Sequence, residues 1–158
     1  MNDATGLGTR KLAQIAFVVR DIDEASRRWA GLLGVPVPEV QVTDPGREAR
    51  ASYRGAPTDA QAKLALFDLG GVQLELIEPV GEDSAWAEGL SRRGESVHHL
   101  AFWVDDMKRS AAFLEGRGLP LIHRGDMGEG QYAYFDGEEQ LGTMVELLER
   151  ERTELDGS

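Results

Sequence analysis

The sequence predicts an α+β fold: two tandem βαβββ modules whose strands join in one curled, mixed sheet. Three observations carry this. The chain repeats itself, each copy opens with a short Val/Ile/Phe-rich run followed by a segment of helical period, and the remaining apolar runs are short and punctuated by turn residues. QIAFVVRDIDEASRRWAGLLGVPV, from Gln14, lies over HLAFWVDDMKRSAAFLEGRGLPL, from His99, at an offset of 85 residues until a one-residue slip near Gly34 and Gly118. Ala16 meets Ala101, Phe17 meets Phe102, Val19 meets Val104 and Asp21 meets Asp106. The later parts also recur, as LALFDLGGVQLELIEP from Leu64 and YAYFDGEEQLGTMVELLER from Tyr132.

Each element has a local cause. Residues 13–19 and 98–104 have the composition of strands. Asp21, with Glu24 three residues on, forms a capping box, after which Ile22, Ala25, Trp29 and Leu32 recur at helical spacing until Gly34. In the second copy Asp106 caps, Met107, Ser110, Ala111 and Leu114 form the buried stripe, and Gly118 with Pro120 closes it. Residues 62–69, 72–78, 132–135 and 143–149 are predicted strands, and residues 83–93 a linker helix with Trp86 and Leu90 one turn apart. The domain then spans residues 11–150: a first module at about 11–80, the linker helix at about 83–93 and a second module at about 97–150. Residues 1–9 and 151–158 are expected to be flexible tails outside the core.

A chain of 158 residues suffices for one domain with a real core. The net charge of −11 disfavours nucleic acid and anionic membrane surfaces, which leaves a small-molecule substrate or a protein as the expected partner. Without cysteine, any metal must be held by nitrogen and oxygen. No signal peptide or membrane-length apolar run is legible, so the expected location is cytoplasmic.

Strand alternation sorts the residues by face. Ile15, Phe17, Leu100 and Phe102 form the bulkier face, expected to carry the helices; His98 and Ala13 share it. Gln14 and His99 fall on the opposite, concave side, with Ala16, Ala101, Trp103, Ile77, Met144 and Leu148. Glu75 and Glu146 sit mid-strand between apolar neighbours. A single glutamate in such a place is usually solvent-facing, but two at matching repeat positions point to a shared hollow. Gln14, Glu75, His99 and Glu146 would converge there as one amide oxygen, two carboxylates and one imidazole, a set suited to a divalent first-row metal.

At QIAFVV, VQLELIEP, HHLAFWVDD and MVELLE the chain resembles the vicinal oxygen chelate superfamily, whose members include glyoxalase I, methylmalonyl-CoA epimerase, extradiol dioxygenases and fosfomycin resistance proteins. The resemblance covers roughly residues 11–150 and implies paired βαβββ modules curled around one divalent metal ion (Co, Zn, Ni or Mn), held by Gln14, Glu75, His99 and Glu146. It also implies a homodimer. LELIEPVGEDSAWAEGLSRRGESVHHLAFWVDDM is closest to the methylmalonyl-CoA epimerase pattern, which implies an isomerase. That enzyme removes the proton alpha to a thioester carbonyl through a metal-stabilised enediolate, with Glu146 as the catalytic base and an acyl-CoA as substrate.

Two alternatives stand beside it: a glyoxalase I-like lactoylglutathione lyase acting on a thio-adduct, and a non-catalytic drug-sequestering protein of the same superfamily. Gln14 is the ligand type of zinc glyoxalase I, where epimerases have histidine, and it breaks the two-histidine, one-carboxylate set of the iron dioxygenases. Candidates for the second acid are Tyr132, Tyr134, Glu48 or a water. Residues 43–61 are longer than the epimerase equivalent, and their Arg47, Arg50 and Arg54 either meet a substrate anion or, the more expected outcome, form a solvated charged loop.

Overall fold

The computed structural model describes residues 6–151. In the first half come β1 (Leu12–Val18), α1 (Ile22–Leu33), β2 (Gln41–Val42), β3 (Ser52–Tyr53), β4 (Ala56–Pro57), β5 (Gln61–Asp68) and β6 (Gln73–Val80). Next is α2 (Ala85–Arg93), followed by β7 (Ser96–Trp103), α3 (Met107–Gly116), β8 (Leu121–Met127), β9 (Gly130–Phe135), α4 (Glu138–Leu141) and β10 (Met144–Glu149). All ten strands form one sheet in the order β2-β5-β6-β1-β7-β10-β9-β8-β3-β4. β1 and β7 meet antiparallel at its centre, β6 runs parallel to β1, and β10 runs parallel to β7. The two βαβββ units are thus related about the β1–β7 seam.

Both long helices begin as the sequence predicts. Asp21 and Asp106 have extended backbone and accept, through their side chains, from Glu24 N and Arg109 N. Glu24 does not return the contact as a capping box would; its carboxylate pairs with Arg28 at 2.6 Å. Gly34 closes α1 in the left-handed conformation at φ 70. A second device was not foreseen. The first amide of α1, Ile22 N, donates to Glu78 at 2.9 Å, and the first amide of α3, Met107 N, donates to Glu149 at 2.7 Å. Each glutamate lies three residues beyond Glu75 or Glu146, in the matching motifs ELIE and ELLE.

α1 packs Ile22 and Ala30 on Phe67, Leu74 and Leu76, and α3 packs Met107, Ala111 and Leu114 on Phe135, Val145 and Leu147. Burying a side chain such as Ile22, which is 1% exposed, contributes about 1.5–3 kcal/mol. These contacts occupy the sheet face opposite Glu75 and Glu146, as alternation requires. Leu7, from the stretch expected to lie outside the core, packs against the α3 cluster, and its carbonyl accepts from Ser110 Oγ at 2.9 Å. Of the expected tails, residues 1–5 and 152–158 lie outside the described residues.

Alternation fails at two places, both bulges. Leu12 pairs with Phe102 and Gln14 with Ala101, so Ala13 is an extra residue on β1; Ala16 pairs with His99 and Phe17 with Val97, so His98 is an extra residue on β7. Ala13 and His98 are themselves repeat-equivalent, 85 residues apart. The expected placement of both on the helix-carrying face is therefore corrected. Ala13 packs with Ala101, Leu148 and Trp103, while His98 turns toward α2 on the concave side.

α2 fills one end of the hollow. Its Ala85 and Trp86 cluster with Ala16, Ile77, Tyr134 and Met144, so of the residues on the concave face Ala16, Ile77 and Met144 are core beneath a helix, whereas Trp103 and Leu148 line the open part. Residues 43–61, expected to be a loop, form a strap from one module to the other. Its β3–β4 hairpin pairs with β8 through Ser52 and Tyr53 opposite Arg124 and His123. Each strap arginine is held by a carboxylate: Arg47 by Asp59 at 3.7 Å, Arg50 by Asp126 at 2.7 Å and Arg54 by Glu88 of α2 at 2.7 Å. None of the three lines the hollow; their side chains are largely solvated, as the more expected outcome had it, each with a carboxylate beside it.

Candidate metal centre

Glu75 on β6, His99 on β7 and Glu146 on β10 converge in the hollow, each offering a ligand atom within 4.8 Å of the others. They lie on the three strands nearest the seam apart from β1, which supplies Gln14. Parallel pairing places Glu75 beside Ala16 and Glu146 beside Ala101, so the two carboxylates approach the centre from symmetric positions. His99 Nε2 lies 3.0 Å from Glu146 Oε1 and 3.5 Å from Glu75 Oε1. Gln14 Nε2 reaches Gln73 Oε1 at 3.0 Å and Glu75 Oε2 at 3.5 Å. All four residues singled out in the sequence are therefore neighbours.

The site is buried and charged. His99 is 0% exposed, Glu75 7% and Glu146 4%. Two carboxylates withdrawn from water this close together repel one another unless a cation lies between them. Burial raises the Glu146 pKa, an effect opposed by His99 and by a hydrogen bond from Tyr134. Burial disfavours charge on His99 as well, but Glu146 and Glu75 outweigh it and lift that pKa to about 9. Despite these neighbours, His99 Nε2 has no hydrogen-bond partner of sound geometry. An orphaned, buried imidazole nitrogen aimed at two carboxylates, with an amide alongside, fits a divalent cation with nitrogen and oxygen ligands.

A second set of groups supports the first. Trp86 Nε1 donates to the Tyr134 hydroxyl at 2.9 Å, and that hydroxyl donates to Glu146. His123 Nδ1 accepts from Ala85 N at 3.1 Å, which leaves its Nε2–H to face the Tyr132 hydroxyl at 3.4 Å. Burial holds His123 neutral, with a pKa lowered to about 4, and burial with the charge of Glu146 raises that of Tyr132. Neither His123 nor Trp86 is marked as a site residue by its local sequence. Their strands and helix were legible, but nothing local signals that β8 and α2 meet over the hollow.

The open part of the hollow encloses about 470 Å³. Gln14, Glu75 and Glu146 form its floor, Leu64, Leu66, Trp103, Met127 and Leu148 its apolar walls, and Val42 of β2 with Thr43, Asp44, Gly46, Ala49 and Ala60 of the strap one side. Tyr132 and Tyr134 line it, whereas Glu48 is exposed and is not part of the wall.

This architecture, paired βαβββ units closing one curled sheet over a carboxylate–imidazole cluster, is that of the vicinal oxygen chelate fold. Residues 13–135 match the Glyoxalase/Bleomycin resistance protein/Dioxygenase superfamily, and the chain belongs to it. The chain is 33% identical over 95 residues to the uncharacterized protein YqjC of Bacillus subtilis (strain 168), covering 58% of this chain and 67% of that one. Its fold is similar to that of methylmalonyl-CoA epimerase from Mycobacterium tuberculosis, with a TM-score of 0.65, 21% identity and coverage of 99% and 97% of the two chains. A variant of Streptomyces coelicolor methylmalonyl-CoA epimerase in complex with 2-nitronate-propionyl-CoA is similar at a TM-score of 0.61 and 23% identity, over 88% of this chain and 96% of that one. At these identities the likeness is one of fold. Among the described residues no helix is long and apolar enough to cross a membrane.

Proposed function

We propose that the protein is a metal-dependent isomerase of the methylmalonyl-CoA epimerase type, with Gln14, Glu75, His99 and Glu146 as the metal ligands. The observation that carries this is the orphaned His99 Nε2 between two buried carboxylates, in the hollow of a fold shared with epimerases. A bound divalent ion would supply the positive charge that polarises a thioester carbonyl and stabilises the enediolate left when the α-proton departs.

The chain's own residues do the rest. Glu146 is the base: burial favours its protonated form, so it accepts a proton more readily than a solvated carboxylate. Tyr134, held by Trp86, orients that carboxylate. Tyr132 keeps its proton and stands in the wall as a neutral O–H donor to the developing oxyanion, positioned by His123. Leu64, Leu66, Met127 and Leu148 exclude water from the acyl part.

The test is metal analysis of the purified protein with His99→Ala and Glu146→Gln alongside, followed by exchange of the α-proton of methylmalonyl-CoA with deuterated solvent. Metal in the wild type, lost in both variants, with exchange only in the metal-loaded wild type, is the expected outcome; undiminished metal in both variants overturns the site. Gln14 favours a second reading, a glyoxalase I-like lyase, because glutamine at this position is the ligand type of zinc glyoxalase I. Metal binding without α-proton exchange, but with turnover of a glutathione hemithioacetal, would select it.

A further inference from the structure

We propose that His98 is a positioning residue for the metal centre, fixing His99 with its proton on Nδ1 and its lone pair on Nε2. The inference rests on the metal reading of the pocket for its purpose, but not for its geometry.

The geometry is a chain of two hydrogen bonds. His98 Nε2 lies 2.9 Å from the carbonyl oxygen of Ala85, and His98 Nδ1 lies 2.9 Å from His99 Nδ1. A carbonyl can only accept, so His98 carries its proton on Nε2. His98 is 4% exposed and contacts the Ala85 carbonyl, the Tyr134 and His99 rings and Gly89; among the described residues it forms no ion pair with a carboxylate that would favour a second proton. A neutral ring protonated on Nε2 offers a lone pair at Nδ1. The proton between the two Nδ1 atoms therefore belongs to His99, so the nitrogen that would give up its proton to a bound cation and offer it a lone pair is Nε2, the atom that faces Glu75 and Glu146.

Two features of the backbone make this contact. In a regular strand His98 and His99 would point to opposite faces, and their rings could not meet. The bulge opposite Ala16 and Phe17 brings both rings to one side. The second feature is Gly89 of α2: a Cβ there would lie 2.7 Å from His98 Cδ2, so the ring occupies space that any other residue would fill. The helix that covers the hollow thus supplies both the acceptor that sets His98 and the gap that admits it.

The experiment has two parts. In uniformly ¹⁵N-labelled wild-type protein, metal-free and zinc-loaded, the scalar coupling across the Nδ1–H···Nδ1 bond is measured; it should be present, with the proton attached to His99. No coupling, or a proton attached to His98 Nδ1, overturns the proposal. Zinc affinity is then measured by chelator competition in His98→Phe and His98→Asn, since the Asn carbonyl oxygen can stand where Nδ1 accepts. The Phe variant should lose roughly 10–100-fold in affinity, while Asn should remain within about threefold of wild type. Equal losses in the two variants would mean that His98 acts through packing alone, and would also overturn it. Should wild type bind no zinc, the metal reading of the pocket fails by itself, and the coupling in the metal-free protein still decides which ring holds the proton.

Discussion

Glu149 closes the N-terminus of α3: its Oε2 accepts from Met107 N at 2.7 Å, while its Oε1 accepts from Gln131 Nε2 at 3.0 Å. The same β-strand that presents Glu146 to the hollow thereby clamps a helix on the other face three residues later. Glu78 does the same for α1, but its side chain is 22% exposed and shares its charge with Lys63.

Glu149→Ala should therefore destabilise the protein by about 2–3 kcal/mol, because it leaves a helix-terminal amide and a buried amide side chain without their acceptor. Glu78→Ala should cost about 1 kcal/mol, since water can replace its carboxylate. Urea unfolding of the two variants beside wild type checks the difference. Equal effects would mean that the clamp is not what distinguishes them.

Stability should fall on mild acidification through His123. Its folded pKa is depressed to about 4 by burial, against 6.5 in a solvated chain. Between those values the unfolded chain binds the extra proton and the folded protein does not, so this contribution is complete above pH 6.5 and is lost as pH falls toward 4. The single group accounts for about 3 kcal/mol over that window. Unfolding free energies at several pH values in wild type and His123→Gln test it; an unchanged slope in the variant would contradict the assignment.

The strap is fastened to α2 at an exposed point, in addition to the Arg50–Asp126 pair that ties it to β8. Arg54 pairs with Glu88 at 2.7 Å, Tyr53 shares the same carboxylate, and the Glu88 pKa is lowered chiefly by Arg54. Half the Arg54 side chain is exposed, so Arg54→Ala should change global stability by no more than about 1 kcal/mol. Its effect should instead be local: faster amide exchange over residues 43–61, measured by mass spectrometry, with β5 and β6 unaffected. Exchange that stays at the wild-type rate would show that the β3–β8 pairing and the Arg50–Asp126 pair hold the strap without Arg54.

Much of this was legible in the sequence because a repeat doubles every signal. The match of Gln14 with His99 and of Glu75 with Glu146 identified strands, faces and the four converging residues before any contact was known. The failures share a cause. Alternation is a rule for unbroken strands, and the bulges at Ala13 and His98 depend on how β1 and β7 pair, a non-local property. The β3–β4 hairpin has only two residues a side and forms against β8, far along the chain, so no local period could announce it. Glu78 and Glu149 left a trace that was open to reading, the shared E-x-x-E of ELIE and ELLE, but its meaning needs the helix start that each strand end meets.

The linker helix has no counterpart in the first βαβββ unit among the described residues, and neither has the strap in the second. Duplication by itself would make a hollow with two interchangeable entrances, in which a molecule and the same molecule turned by half a revolution meet identical surroundings. With one entrance stoppered by α2 and one flank roofed by residues 43–61, that equivalence is gone. Glu75 and Glu146, twins in sequence, therefore stand in inequivalent surroundings, one hollow with a distinct left and right.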